Sequence, residues 1–476
     1  MIHWALLLPA LLVVQLLALD AQALSLGMAS AARRQVDKLA AQVAEDRAAK
    51  AAQPVHHQGD LVVGGAQVVE ITGRTYYLHG DLVVRDQGVL RITDSTFIHD
   101  AGGVFAWQAS VQDQGRLEIT RSTVHSNGHF IWWRLLGQGQ CACDQADFPQ
   151  PDIHLWCLGS ARLTAANDSR LIVFQRESSE VTLTASPRAV LHAPETPENG
   201  PPTLDPSLAA VWEDPVPVNY PVNTPLPADA LGIGADGQTL YFFFARGTME
   251  ELGVAAYLTE PTGTYAASRA GGPADFGRPA FFNLGLGARD NLSADGECSF
   301  TSDGGKVYFH SLRGDNTGYQ LATPVDDFLD IYVADIVSGV PGPGRNLGVP
   351  VNSASIDGEH GLYDDHTLYL ASARGGDTDL WKTVFNGTAW SDPVNLGPPV
   401  NSTGASELQP VFTSDGSTMY FTRKDNAAPG IYRSLTTTSG GWGEPALVVS
   451  GLCGEPTLTA DGQYLYFVHV WAVWTG

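Results

Sequence analysis

DGQTLYF (236–242), DGGKVYF (303–309), DGSTMYF (415–421) and DGQYLYF (461–467) are four copies of one unit, and DDHTLYL (364–370) is a variant of it. Asp-Gly sets a tight hairpin turn, because Gly tolerates positive φ, and the alternating apolar residues after it read as a strand. Another apolar strand precedes the unit, as in Gln409-Pro-Val-Phe412. An Arg follows it (Arg246, Arg313, Arg374, Arg423), and then a third strand (Asp330-Ile-Tyr332, Asp379-Leu-Trp381, Gly430-Ile-Tyr432). Trp390-Ser-Asp-Pro393 and Trp442-Gly-Glu-Pro445 open a fourth. Four short strands per unit, at spacings of 67, 61, 51 and 46 residues, spell a β-propeller over 207–476. Five hairpins predict five blades, with six as the alternative. Segment 212–224 (WEDPVPVNYPVNT) matches 390–402 (WSDPVNLGPPVNS). It is therefore expected to supply the outer strand missing from the last blade, closing the ring without an open edge.

The pattern W-x-x-P…V-N-S…D-G-x-x-L-Y-F-x-x-x-R…D-I-Y resembles the WD40-like PD40 repeats of TolB-type propellers. The resemblance covers about 270 residues and implies the fold and a bacterial envelope setting. Six blades are usual in that family.

Working outward, residues 58–192 carry a second repeat. GVLRITDSTF (88–97) is echoed by GRLEITRSTV (115–124), and GDLVV (59–63) by GDLVV (80–84). Alternating short strands recurring every 20–30 residues mark a β-solenoid. The stretch resembles a right-handed parallel β-helix. Residues 129–158, with two adjacent Trp and three Cys, read as a loop insertion in it. A Pro-rich linker (193–206) joins the two systems. The fold class is thus all-β, a solenoid followed by a propeller, preceded by a short N-terminal helix in segment 24–57. Residues 1–23, a 16-residue apolar run closed by Ala21-Gln22-Ala23, read as a signal peptide. The n-region has no Lys or Arg, which leaves a retained membrane anchor as the other reading.

The 476 residues carry 27 basic and 51 acidic side chains, a formal charge of −24. So acidic a surface argues against nucleic acid and anionic lipid as partners. Export favours disulfides over free thiols. Cys157 is expected to bond Cys141 or Cys143, in preference to a Cys₃His zinc site with His154 whose spacing is unlike the usual pairs. No metal site is assigned.

Propellers bind ligands where the inner strands converge. Asp229, Asp295, Asp357, Glu407 and Glu455 lie near the starts of those strands. They are the candidate channel-mouth ligands for Ca²⁺, or for a basic peptide or amine. The recurring Arg reads as a structural partner for an acid of the adjacent blade. Trp132 and Trp133 are the candidate surface aromatic contact, or else the cover of the solenoid core. No carboxylate pair breaks the repeat, and G-x-S-x-G, H-E-x-x-H and a phosphate loop are all missing from the sequence. The expected function is a secreted or periplasmic non-enzymatic platform, without a resident cofactor, for a protein or glycan partner. The alternative is a glycosidase or polysaccharide lyase acting at the channel mouth or solenoid flank.

Overall fold

The computed structural model describes Lys38 and residues 53–103, 105–149, 153–192, 201–226, 228–245, 262–284, 295–313, 315–317, 329–425 and 427–470. The expected signal peptide and nearly all of the expected helical segment lie outside them. Among the described residues no helix is long and apolar enough to cross a membrane.

The solenoid begins at Val55 and has three parallel sheets, of four, seven and six strands. The early coils contribute one strand to each sheet, the later ones only to the second and third, and the coils stack in register. Along the third sheet Ile71, Ile92, Ile119, Cys143, Ala165 and Leu183 follow one another, beside a second stack of Val69, Leu90, Leu117, Cys141, Leu163 and Val181. Period-2 alternation is what turns these residues inward. The coil corners need left-handed backbone. After each strand of the third sheet one residue adopts it: Gly73, Asp94, Arg121, Gln145, Asn167 and Ala185, with φ from 46° to 63°. Asn and Asp accept this conformation, whereas Arg, Gln and Ala do so at a cost of about 1 kcal/mol that coil stacking offsets.

Residues 129–158 are not a loop insertion. Ile131–Leu135, Gln140–Asp144 and Ile153–Cys157 continue the coil in register. Cys141 and Cys143 occupy positions held by Leu and Ile in the coil before, which hides the repeat. The expected disulfide is not formed, and all five cysteines are buried free thiols. Cys141 and Cys143 point the same way from one strand, Sγ to Sγ 3.7 Å, while Cys157 belongs to a different sheet. Burial pushes the Cys157 thiol up to about 12.

Trp132 and Trp133 are both 2% exposed, so they form no surface contact. Trp133 points inward, and its indole N–H donates to Nδ1 of His99 at 3.2 Å while His99 Nε2 lies 2.7 Å from the Gly80 carbonyl. This arrangement needs a neutral imidazole, and burial lowers the His99 pKa to about 4. Trp132 faces out, but onto the propeller. It belongs to an apolar cluster with Phe105, Phe130 and Phe174 of the solenoid and Phe242, Phe244 and Tyr265 of the propeller. Arg278 of the propeller adds an ion pair to Asp81 of the solenoid and donates to the Ala106 carbonyl at 2.7 Å. The solenoid is thus docked on the first blade by a buried aromatic seam.

The propeller has four complete antiparallel blades, with inner strands Ala228–Ile233, Asp295–Phe300, Asp357–Asp364 and Ser406–Phe412. The last hairpin, Cys453–Leu458 with Leu465–His469, is a two-stranded sheet. Its inner strand packs on those of the fourth and first blades, so five inner strands ring the axis. Closure by 212–224 takes a different form from the one expected. Thr203–Leu204, at the end of the expected linker, joins the outer edge of the fourth blade instead. Segment 212–224 itself forms no strand, and residues 471–476, where the last blade's third strand is expected, lie outside the described residues.

The ring is tight. A Cβ on Gly361 would stand 1.8 Å from the Pro410 carbonyl oxygen of the next blade, and one on Gly232 would stand 2.1 Å from that of Cys298. Gly361→Ala is therefore expected to destabilise the protein by more than about 2 kcal/mol. Gly102→Ala, on an exposed solenoid turn with nothing within 4 Å, is expected to be near neutral in the same urea titrations. His99 gives a pH test. Its lowered pKa means the folded state binds fewer protons than the unfolded one, so its contribution is lost as pH falls from 6.5 towards about 4. His99→Leu should cost about 2–4 kcal/mol at neutral pH and make the acid limb of stability shallower than in wild type.

Candidate functional site

Every inner strand carries a β-bulge at the same place. Its left-handed residue is Ala230, Glu297, Glu359, Gln409 and Glu455 in turn, with φ between 47° and 56°. A bulge inserts one residue and re-aims a side chain, at a cost a non-glycine residue bears only when its surroundings hold it there. Aligned on the bulge, the five acids expected at the channel mouth fall into three different registers. Asp295, Asp357 and Glu407 precede the bulge residue by two positions, Asp229 precedes it by one, and Glu455 is the bulge residue itself.

The first three acids are buried and occupied. Arg313 pairs with Asp295, Arg374 with Asp357 and Arg423 with Glu407. The partner acid lies in the same blade as the Arg, not in the adjacent one. Arg246 lies outside the described residues. In the fourth blade Arg423 Nε reaches Glu407 at 2.9 Å and Nη2 reaches the Val400 carbonyl at 2.7 Å. Ser402 Oγ donates to the same carboxylate at 2.7 Å, and Ser353 does the same for Asp357 at 2.6 Å. Each Ser follows an Asn that brackets one residue of the preceding blade. Asn401 bonds both N–H and C=O of Leu380, and Asn352 both of Ile331. The recurring Val-Asn-Ser, acid and Arg are thus one clamp tying the second blade to the third and the third to the fourth. Burial still raises the Glu407 pKa, against the pull of Ser402 and Arg423.

What converges on the axis is a set the repeat pattern did not single out: Glu297, Glu359 and Gln409, joined by Glu455 and by His310 of the second blade. Gln409 Oε1 accepts from Thr422 Oγ1 at 2.6 Å and from the Glu455 N–H at 2.9 Å. This fixes its amide, so Nε2 donates to Glu359 and, at 3.0 Å, to Glu455. Glu455 Oε2 accepts from the Leu231 N–H at 3.2 Å, which links the last hairpin to the first blade. His310 Nδ1 stands 3.3 Å from Glu297 Oε2. Among the described residues no Lys or Arg pairs with Glu297, Glu359 or Glu455. Burial, with the neighbouring acids, pushes Glu297 and Glu455 well above the ordinary carboxyl range. Asp229 alone of the expected mouth acids is exposed. Such a nest can hold protons or a cation. The bulge was the one signal available in sequence: an acid or amide two residues after the clamp acid.

No protein-family model matches the chain, and no curated protein does. Solved structures that resemble part of it include TolB from Acinetobacter baumannii, at 13% identity over 50% of this chain and 48% of that one, with a TM-score of 0.29. Putative TolB from Agrobacterium tumefaciens shares 16% identity over 52% of this chain and 92% of that one, with a TM-score of 0.30. An oligogalacturonate lyase from Vibrio parahaemolyticus shares 14% over 50% and 56%, with a TM-score of 0.29. This chain spans about half the length of the first and third of these proteins. The propeller assignment rests on the strand order itself.

The clamp is testable. Arg423→Ala leaves a buried Glu407 carboxylate without its cation, and should cost about 3–5 kcal/mol in denaturant unfolding. Arg423→Ala combined with Glu407→Gln should recover part of that loss.

Proposed function

We propose that the chain is a non-enzymatic interaction platform of the periplasm or cell exterior, engaging a protein or glycan partner. One observation carries this reading. The recurring acids that would furnish a catalytic pair are consumed by the blade clamps, and of the axial acids Glu297 is buried while Glu359 and Glu455 are half-buried. General acid–base cleavage of a glycosidic bond needs two carboxylates flanking the bond, with space for sugar and water. Glu297 is 5% exposed and Glu407 fully buried, which denies that access.

Aromatic surface suited to a partner lies elsewhere than Trp132 and Trp133. On the outer face of the first solenoid sheet His56 stacks on Tyr77 at 4.4 Å between ring centroids, and His79 lies parallel to both. His56 is exposed and the other two are half-buried. Flat, partly open rings with polar edges suit the face of a sugar or a peptide side chain. The acidic net charge favours a partner that is neutral or basic.

The test is a glycan array and an envelope-extract pull-down with the mature chain, with any bound polysaccharide checked by mass spectrometry for shortening. Binding without shortening, weakened several-fold by Tyr77→Ala, is the expected outcome. Shortened products that vanish in Glu297→Gln would establish the carbohydrate-active alternative in its place.

A further inference from the structure

The axial acids raise a question that the platform reading does not answer. Buried carboxylates without basic partners are costly unless something neutralises them. We propose that Glu297, His310 and Glu359 form a divalent-cation site on the propeller axis, of the class that accepts imidazole together with carboxylate, as Zn²⁺ or Mn²⁺ does.

Geometry carries the assignment. One donor atom from each of the three residues lies within 4.8 Å of the others. Glu297 and His310 are 5% and 9% exposed, and neither Glu297 Oε2 nor His310 Nδ1 has a hydrogen-bond partner. They face each other at 3.3 Å without forming such a bond. Two ligands on one tetrahedral metal, with bonds of about 2.0–2.1 Å, stand roughly 3.3–3.4 Å apart. The spacing is that of atoms sharing a metal.

The surroundings fit the same reading. Gly296 lies opposite His310 in the sheet, and a Cβ there would stand 3.0 Å from the imidazole Nε2 and 2.6 Å from Ala230 Cβ. Glycine therefore leaves the ring its place. Gln409 donates to Glu359 from an amide held by Thr422, the kind of outer contact that orients a ligating carboxylate. Two carboxylates balance the charge of one divalent ion. Ca²⁺ takes six to eight oxygens and finds an imbalance here, because one of the three donors is a nitrogen. None of the three residues is among the channel-mouth acids expected for Ca²⁺.

The experiment is metal titration of the untagged mature chain after chelator treatment, read by thermal melting and by metal content per chain after gel filtration. Zn²⁺ or Mn²⁺ should bind at one equivalent and raise the melting temperature by roughly 4 °C when about 100-fold above its Kd. Glu297→Gln keeps the side-chain volume and removes the charge, so it should stay folded and lose the response. His310→Gln should lose it too. His79→Ala, which breaks the exposed His56–His79 contact, should leave the response intact. The proposal is overturned if folded wild type shows no response, if Ca²⁺ alone stabilises it, or if the response survives Glu297→Gln and disappears in His79→Ala.

Discussion

Five inner strands share one narrow axis, and most of the propeller follows from that crowding. Where two of them approach closest, side chains are shed. Gly232 and Gly361 each face a carbonyl of the next blade, with no room for even a methyl group. Each strand also bulges at a residue in left-handed conformation, and that bulge turns one side chain per blade to a common centre. The carboxylates of Glu297, Glu359 and Glu455 gather there for a geometric reason. Burial there, with the neighbouring acids, raises the pKa of Glu297 and Glu455.

Clamps hold that ring against its own electrostatics. At the second-to-third and third-to-fourth junctions an Asn brackets one residue of a blade, the next Ser reaches the first acid of the following inner strand, and an Arg returns to the same acid. In the fourth-blade clamp Glu407 is met by both Ser402 and Arg423, the partnering under which buried charge is tolerable. The clamp acids and the axial acids stand two residues apart, yet their roles are opposite. The former are neutralised by Arg, while the latter face one another.

The solenoid is joined to this ring by aromatic packing. Trp132 and its neighbours would be an exposed apolar stripe on an isolated coil, and the first blade covers them. A residue pair that looks like a binding surface in the sequence is, in three dimensions, the seam between the two halves. The open aromatic surface lies on the first sheet of the coil.

Both repeats were legible in the residues alone. Asp-Gly hairpins and period-2 strands are local signals, set by backbone sterics and by which face each side chain must take. They located the blades and the coil, and the recurring Arg was rightly read as structural. Substituted or displaced positions were not legible. Cys141 and Cys143 stand in for Leu and Ile, so the coil through 129–158 passed for a loop. The bulge shifts the register by one residue, so acids of three different environments passed for one ring. Sequence by itself determined the elements, because their causes lie within a few residues. Only the tertiary structure decided which carboxylates are clamped and which converge. That depends on close approach of strands dozens to more than two hundred residues apart, and on burial that no local pattern records.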